Sequence, residues 1–136
     1  MQPIRIERFL PADPARVWEA LTRPSLLDRW MCPNPDLDVT AHADAREGGA
    51  YRINMGGEYI VSGTYVRLDE PTVLECTWRW EHETLTTAVL VELRPHEDRG
   101  TNLVLQHADF MDPDDAEATR QGWELSLARL ESLLAR

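Results

Sequence analysis

Lysine is missing altogether: the 14 basic residues are all arginines, set against 24 acidic ones, for a formal net charge of -10. Without lysine there is no Schiff-base amine and no phosphate loop of the kind that ends in a Gly-Lys pair. The acidic excess argues against nucleic-acid backbones and anionic membranes, both of which are held mainly by clustered basic side chains. Cysteine is scarce as well. Cys32 and Cys76 stand far apart and form no paired motif, so two reduced thiols are expected and no disulfide. No apolar run approaches membrane-span length, and Met1-Gln2-Pro3 leads into an alternating stretch without a basic region or a small-residue cleavage site. These absences lead us to expect a cytoplasmic protein that does not insert into membranes. A length of 136 residues is most simply a single domain spanning residues 1-136.

Reactive constellations are also thin. The four histidines lack ligand spacing, and Asp112, Asp114 and Asp115 suit a helix start better than a calcium loop, which needs a longer alternating set. Ser25, Ser62, Ser126 and Ser132 lack the glycine-flanked nucleophile context, and neither cysteine has a base beside it in sequence. No catalytic residue, metal or cofactor is assigned.

What the chain does contain is strongly patterned. From Pro113 to Arg136, Trp123, Leu127, Leu130 and Leu134 recur at helical spacing with Leu133 beside them, while Glu117, Arg120, Glu124 and Glu131 face away. Asp112 is placed to cap this helix, Pro113 suits its first turn, and Asp114 and Asp115 complement the helix dipole. A helix of about 22 residues runs roughly 33 Å, so its apolar stripe needs an equally long partner surface.

Upstream, Ile4 to Phe9 alternates as a first strand whose inner face is ambiguous. Asp13-Pro14 then opens a short helix carrying Val17, Trp18 and Leu21, and Pro24 restarts the chain into a second with Leu26, Leu27 and Trp30. From Leu37 the period changes to two. Strands are expected over Leu37–Ala43, Ala50–Met55, Glu58–Leu68, Leu74–Trp80, Leu85–Leu93 and Thr101–His107, seven in all, with Gly56-Gly57 as a two-residue hairpin and Pro95 to Gly100 as a turn. The clearest strand puts Leu74, Cys76, Trp78 and Trp80 on one face; Tyr59–Leu68 is apolar on both phases, as a bulge near Gly63 would produce. Strand, two helices, six strands and a long helix make an α+β arrangement, not a doubly wound parallel sheet.

Trp18 and Trp30, Asp44, Arg46, Gly48 and Gly49 before a strand, and Gly63 before Pro71 resemble a known pattern. It continues through Leu74, Thr77 and Trp78, then Thr101, Leu103, Leu105 and His107, then Gly122 and Trp123. Taken together these residues resemble the bacterial family named after the activator of the ninety-kilodalton heat-shock protein ATPase, within the START/SRPBCC superfamily. The resemblance covers essentially the whole chain. It departs at Glu70-Pro71, where the family pattern has a double proline, and that puts only the turn in question. The resemblance implies a helix-grip fold: a seven-stranded curved antiparallel sheet wrapped around the long C-terminal helix, two short helices after the first strand, and a cavity between sheet and helix. Superfamily members bind lipids, hormones, polyketides or other apolar molecules, and a few catalyse cyclisation.

Candidate cavity residues follow: Trp30, Met31, Tyr51, Met55, Trp78, Trp80, Leu103, His107, Phe110, Trp123 and Leu127. Core packing is the competing explanation for the aromatics. At roughly 24 cal/mol per Å³ an empty void of ~300 Å³ would cost about 7 kcal/mol, comparable with a domain's whole net stability. His107, in phase with Leu103 and Leu105, is either a satisfied core histidine or a polar contact for a ligand hydroxyl or carboxylate. His42, His82 and His96 are read as surface, and Asp44 and Arg46 as part of a glycine turn. The leading expectation is a protein that binds a small apolar ligand, as monomer or homodimer, with aromatics packing on it. A module acting on a chaperone or other protein is the second, and an enzyme of cyclase or hydrolase type the third.

Overall fold

Alternation at the start of the chain makes a strand, β1 (Ile4–Leu10), and burial decides its face: Ile4, Ile6 and Leu10 point inward and Arg5 and Glu7 outward. The computed structural model describes residues 2–97 and 99–136; the first residue of the Met1-Gln2-Pro3 start and Asp98 in the turn from Pro95 to Gly100 lie outside the described residues. After β1 come α1 (Pro14–Thr22) and α2 (Pro24–Trp30), then β2 (Val39–Ala43), β3 (Ala50–Met55), β4 (Tyr59–Asp69), β5 (Val73–Trp80), β6 (Thr87–Pro95), β7 (Thr101–Ala108) and α3 (Pro113–Leu134). The seven strands form one antiparallel sheet in the order β1-β7-β6-β5-β4-β3-β2. This is the helix-grip arrangement, with α3 against the inner face.

All three helices are proline-led, and α1 and α3 also carry the capping aspartate their sequences show. Asp13 accepts from the Arg16 N–H at 2.9 Å, and Asp112 from the Asp114 N–H at 2.8 Å, so a carboxylate satisfies an orphan donor at each N-terminus. On α3 the stripe Trp123, Leu127, Leu130 and Leu134 is buried, and Ser126 is buried with it. Glu131 does not face away as expected: it is half-buried and pairs with Arg8 of β1 at 3.0 Å, tying helix to edge strand. Other arginines perform a similar task. Arg129 donates to the carbonyls of Cys32 at 2.7 Å and Arg29 at 3.1 Å, satisfying oxygens at the end of α2. Arg16 donates to the Leu134 carbonyl at 2.9 Å at the end of α3. Trp30, fully buried, donates its indole N–H to the Ala20 carbonyl at 2.8 Å and so fixes α2 on α1.

Several boundaries differ from expectation, each for a local reason. Met55 pairs with Tyr59, so the β3–β4 loop has three residues, Gly56, Gly57 and Glu58, with both glycines at positive φ. Leu37 lies outside β2 and packs over Gly56, where a Cβ would come within 2.9 Å of it. Leu85 precedes β6 and is left in the connection after β5. The phase change in β4 falls at Val66, where the register against β5 shifts between Tyr65 and Arg67, leaving Val66 exposed. Near Gly63 the register is kept but the hydrogen bonding is borrowed: Thr64 N donates to Thr77 Oγ1 at 2.9 Å, and the Tyr51 hydroxyl donates to the Thr77 carbonyl. The Tyr51 ring lies over Gly63, where a Cβ would sit 2.6 Å from the ring and 2.0 Å from the Thr77 oxygen.

Candidate functional site

Between sheet and α3 the interior is nearly full. The space left there, about 40 Å³, is lined by apolar side chains and rings, among them Trp30, Met31, Tyr51, Trp78, Leu103, Trp123 and Leu127. A void of that size costs about 1 kcal/mol, which a domain can carry. A larger space of about 270 Å³ opens at the end of the fold where α3 begins. Its walls come from Met31 and Pro33 after α2, Met55 on β3, Trp78 and Trp80 on β5, Glu83 and Leu85 in the β5–β6 connection, and Phe110 before α3. Helix α3, up to Ser126, supplies Asp115, Thr119, Gly122, Trp123 and Ser126. Met31, Trp78 and Trp123 line both spaces and form the partition between them.

Ten of the eleven residues singled out from sequence therefore line one space or the other. His107 lines neither, although its phase does turn it inward, where it is fully buried. It sits behind the aromatic wall, its ring centroid 5.5 Å from that of Trp78 and 4.6 Å from that of Phe110. Both ring nitrogens are engaged. Trp123 Nε1 lies 3.0 Å from Nδ1, and Thr87 Oγ1 lies 2.7 Å from Nε2. An indole N–H only donates, so Nδ1 is the acceptor and the ring proton belongs on Nε2, directed at Thr87. Thr87 passes its own hydrogen to the Trp78 carbonyl at 3.0 Å. Burial pushes the His107 pKa down to about 3, so the ring is neutral at physiological pH.

Deeper in, Tyr51 and Tyr65 lie with ring centroids 5.4 Å apart, and the Cys76 thiol donates toward the Tyr51 hydroxyl at 3.8 Å. Burial pushes the Cys76 thiol up to about 12, and burial followed by the neighbouring Cys76 raises the Tyr51 phenol well above its ordinary value. Neither group ionises near neutrality, which leaves the inner wall uncharged.

Sequence reasoning missed Tyr65, Thr87 and most of the α3 contribution to the mouth. Thr87 looks like any strand threonine until the register places it across from Trp78. For the helix a signal did exist: Asp115, Thr119, Gly122 and Ser126 recur at helical spacing beside Trp123, a stripe of small or polar residues where a sealed interface would carry leucines. Glu83 and Leu85 belong to a connection with no period to read.

An α+β sheet gripping a terminal helix, with an aromatic-walled opening at one end, defines the class as helix-grip proteins. The family of Activator of Hsp90 ATPase homolog 1-like proteins matches residues 11–135, and the chain belongs to that family. Among solved structures, CalU16 from Micromonospora echinospora is 28% identical, with 97% of this chain and 75% of that one covered at a TM-score of 0.77. Protein CV1439 from Chromobacterium violaceum is 25% identical over 99% of this chain and 98% of its own, with a TM-score of 0.83. An HSP90 activator from Plasmodium falciparum shares the fold at 19% identity, covering 99% and 97% with a TM-score of 0.80. No curated protein sequence matches the chain.

Proposed function

We propose that the chain is a binding protein for a small, largely apolar molecule, admitted where α3 begins and seated against Trp78, Trp80 and Trp123. One observation carries this reading: the space of about 270 Å³ at the mouth abuts the inner space across a wall of only Met31, Trp78 and Trp123, so a molecule seated in the mouth lies one layer of side chains from the apolar interior. A cleft of that size lined by rings and a few polar groups is the usual form of a small-molecule site. The inner wall is suited to holding a molecule more than to transforming one. Its thiol stays protonated and His107 is neutral with both nitrogens occupied, which leaves neither a nucleophile nor a base poised near neutral pH.

Docking on a chaperone or other protein is the second reading, supported by the HSP90 activator among the structural neighbours, whose likeness is one of fold. It asks for an exposed apolar face. The exposed large apolar side chains Phe9, Tyr59, Val66, Met111 and Leu125 are instead distributed over β1, β4, the segment before α3 and α3.

Native mass spectrometry of protein purified from its own host tests the proposal, a co-purifying small molecule being the expected result. Gly122→Leu provides the control in solution. A Cβ at Gly122 meets nothing nearer than Pro33 Cγ at 4.0 Å, so a leucine side chain there starts unobstructed at a residue that lines the mouth. Titration with the neutral fluorophore N-phenyl-1-naphthylamine should give saturable enhancement with the parent protein and little with the variant. Equal enhancement by both would place the site elsewhere, and no enhancement by either would count against an apolar site.

A further inference from the structure

Of the buried side-chain nitrogens and oxygens among the described residues, the indole Nε1 of Trp78 has no hydrogen-bond partner. Its residue is only 7% exposed and stands in the partition between the two spaces. Two neighbouring tryptophans show how such a donor is ordinarily met in this fold: Trp30 gives its N–H to the Ala20 carbonyl at 2.8 Å, and Trp123 gives its own to His107 at 3.0 Å. A buried donor left without an acceptor is costly, and native folds keep few of them. The ring is also closely held, with Trp123, His107 and Trp80 at centroid separations of 5.1, 5.5 and 5.6 Å. Turning away to find a partner would break those contacts, and because the nitrogen itself has almost no accessible surface, an acceptor entering from the mouth reaches it only by displacing a neighbouring side chain of the partition. Charge narrows the ligand further. The ionisable side chains lining the mouth are the carboxylates Glu83 and Asp115, with no arginine or histidine among its lining residues. In a chain of net charge -10, an anionic ligand would enter against the field.

We infer that the ligand is a ring-bearing molecule without negative charge that has a carbonyl- or ether-type oxygen, and that this oxygen accepts the Trp78 indole N–H while the rings of Trp80 and Trp123 cover the apolar part. This rests on the small-molecule reading above and gives it a chemical class. Three probes of matched size separate the terms: 2-acetylnaphthalene, 2-isopropylnaphthalene and 2-naphthoate, titrated calorimetrically and followed by the five indole N–H resonances of 15N-labelled protein. The ketone should bind about tenfold more tightly than the hydrocarbon, as one neutral hydrogen bond to an otherwise unmet donor allows. Naphthoate should bind more weakly than the ketone. The Trp78 indole proton should move downfield with the ketone and not with the hydrocarbon, and the affinity difference between those two should vanish in Trp78→Phe. If that variant does not fold, assigning the Trp78 resonance by elimination with single Phe replacements of the other tryptophans keeps the wild-type shift as the readout. Equal affinities for ketone and hydrocarbon, or a Trp78 proton unmoved by the ketone, would overturn the acceptor contact and leave the apolar site standing. Naphthoate binding as tightly as the ketone would overturn the exclusion of anions. Failure of all three probes to bind would overturn the small-molecule reading itself, and this inference with it.

Discussion

Acid should weaken this protein through His107 in a way that a single substitution can isolate. The folded ring is held neutral by burial with a pKa of about 3, against about 6.5 for a histidine in the unfolded chain. Between those values the unfolded state binds the proton and the folded state does not, so unfolding stability rises with pH across the window and is flat above it. The depressed pKa therefore contributes nothing to lose between pH 9 and 7 and about 1.4 kcal/mol for each unit below 6.5. From pH 7.5 to pH 5.0 the loss from this one group is about 2 kcal/mol. His107→Gln keeps an acceptor and a donor within reach of Trp123 and Thr87 but does not titrate. Urea unfolding of both proteins at the two pH values gives the double difference, in which the surface carboxylates cancel. The parent should lose about 2 kcal/mol more than the variant. Parallel losses, or a His107 resonance titrating near 6.5 in the folded protein, would refute the engaged, neutral ring.

Gly63→Ala should be among the most damaging of small substitutions, because the added methyl meets the Thr77 carbonyl at 2.0 Å and the Tyr51 ring at 2.6 Å, and backbone cannot step aside. A loss of about 3 kcal/mol or more in chemical denaturation is expected, above the ordinary cost of overpacking. Cys76 should not react with a thiol reagent in the folded state, since it is 8% exposed and its thiol is pushed up to about 12. Its modification rate should track global unfolding as denaturant rises, and fast labelling in buffer would contradict the burial. Arg8→Met should cost under about 1 kcal/mol, because the pair with Glu131 is partly exposed and screened by water.

The sheet was legible because one face is buried and the other wet, so the alternation of Leu74, Cys76, Trp78 and Trp80 carries its own register. The long helix was legible because its capping aspartate and proline are local chemistry. Where the reading slipped, the deciding contact was distant. Val66 leaves the β4 phase only because Arg67 must meet Glu75 after Tyr65 has met Cys76, and no local signal separates that from an irregularity at Gly63. His107 could be turned inward from its phase, but its two partners arrive from β6 and α3, and pattern alone does not say whether its nitrogens are spoken for. Whether a ring fills a space or walls one depends on side-chain orientation against neighbours brought together by the whole topology. Composition put rings in the interior and stopped there.

Helix α3 itself divides the fold into a sealed part and an open one. Its second half presents Leu127, Leu130 and Leu134, each at most 3% exposed, and burying such side chains stabilises by roughly 1.5–3 kcal/mol apiece. The part before it, through Ser126, presents Thr119, Gly122 and Ser126 to the mouth, forgoing that gain. Gly122 is the telling case. A glycine inside a helix costs about 0.5–1 kcal/mol relative to alanine, and here no close backbone approach requires it, since a Cβ would find only Pro33 at 4.0 Å. Gly122→Ala should therefore raise the unfolding free energy by about that amount, read in urea, while leaving the mouth open because a methyl group occupies little of it. Stability forgone at an uncrowded position points to a demand other than folding, and such concessions gather where binding needs room. Should Gly122→Ala destabilise the protein, the glycine would be meeting a packing need instead, and the case that this opening is kept for a ligand would lose its footing.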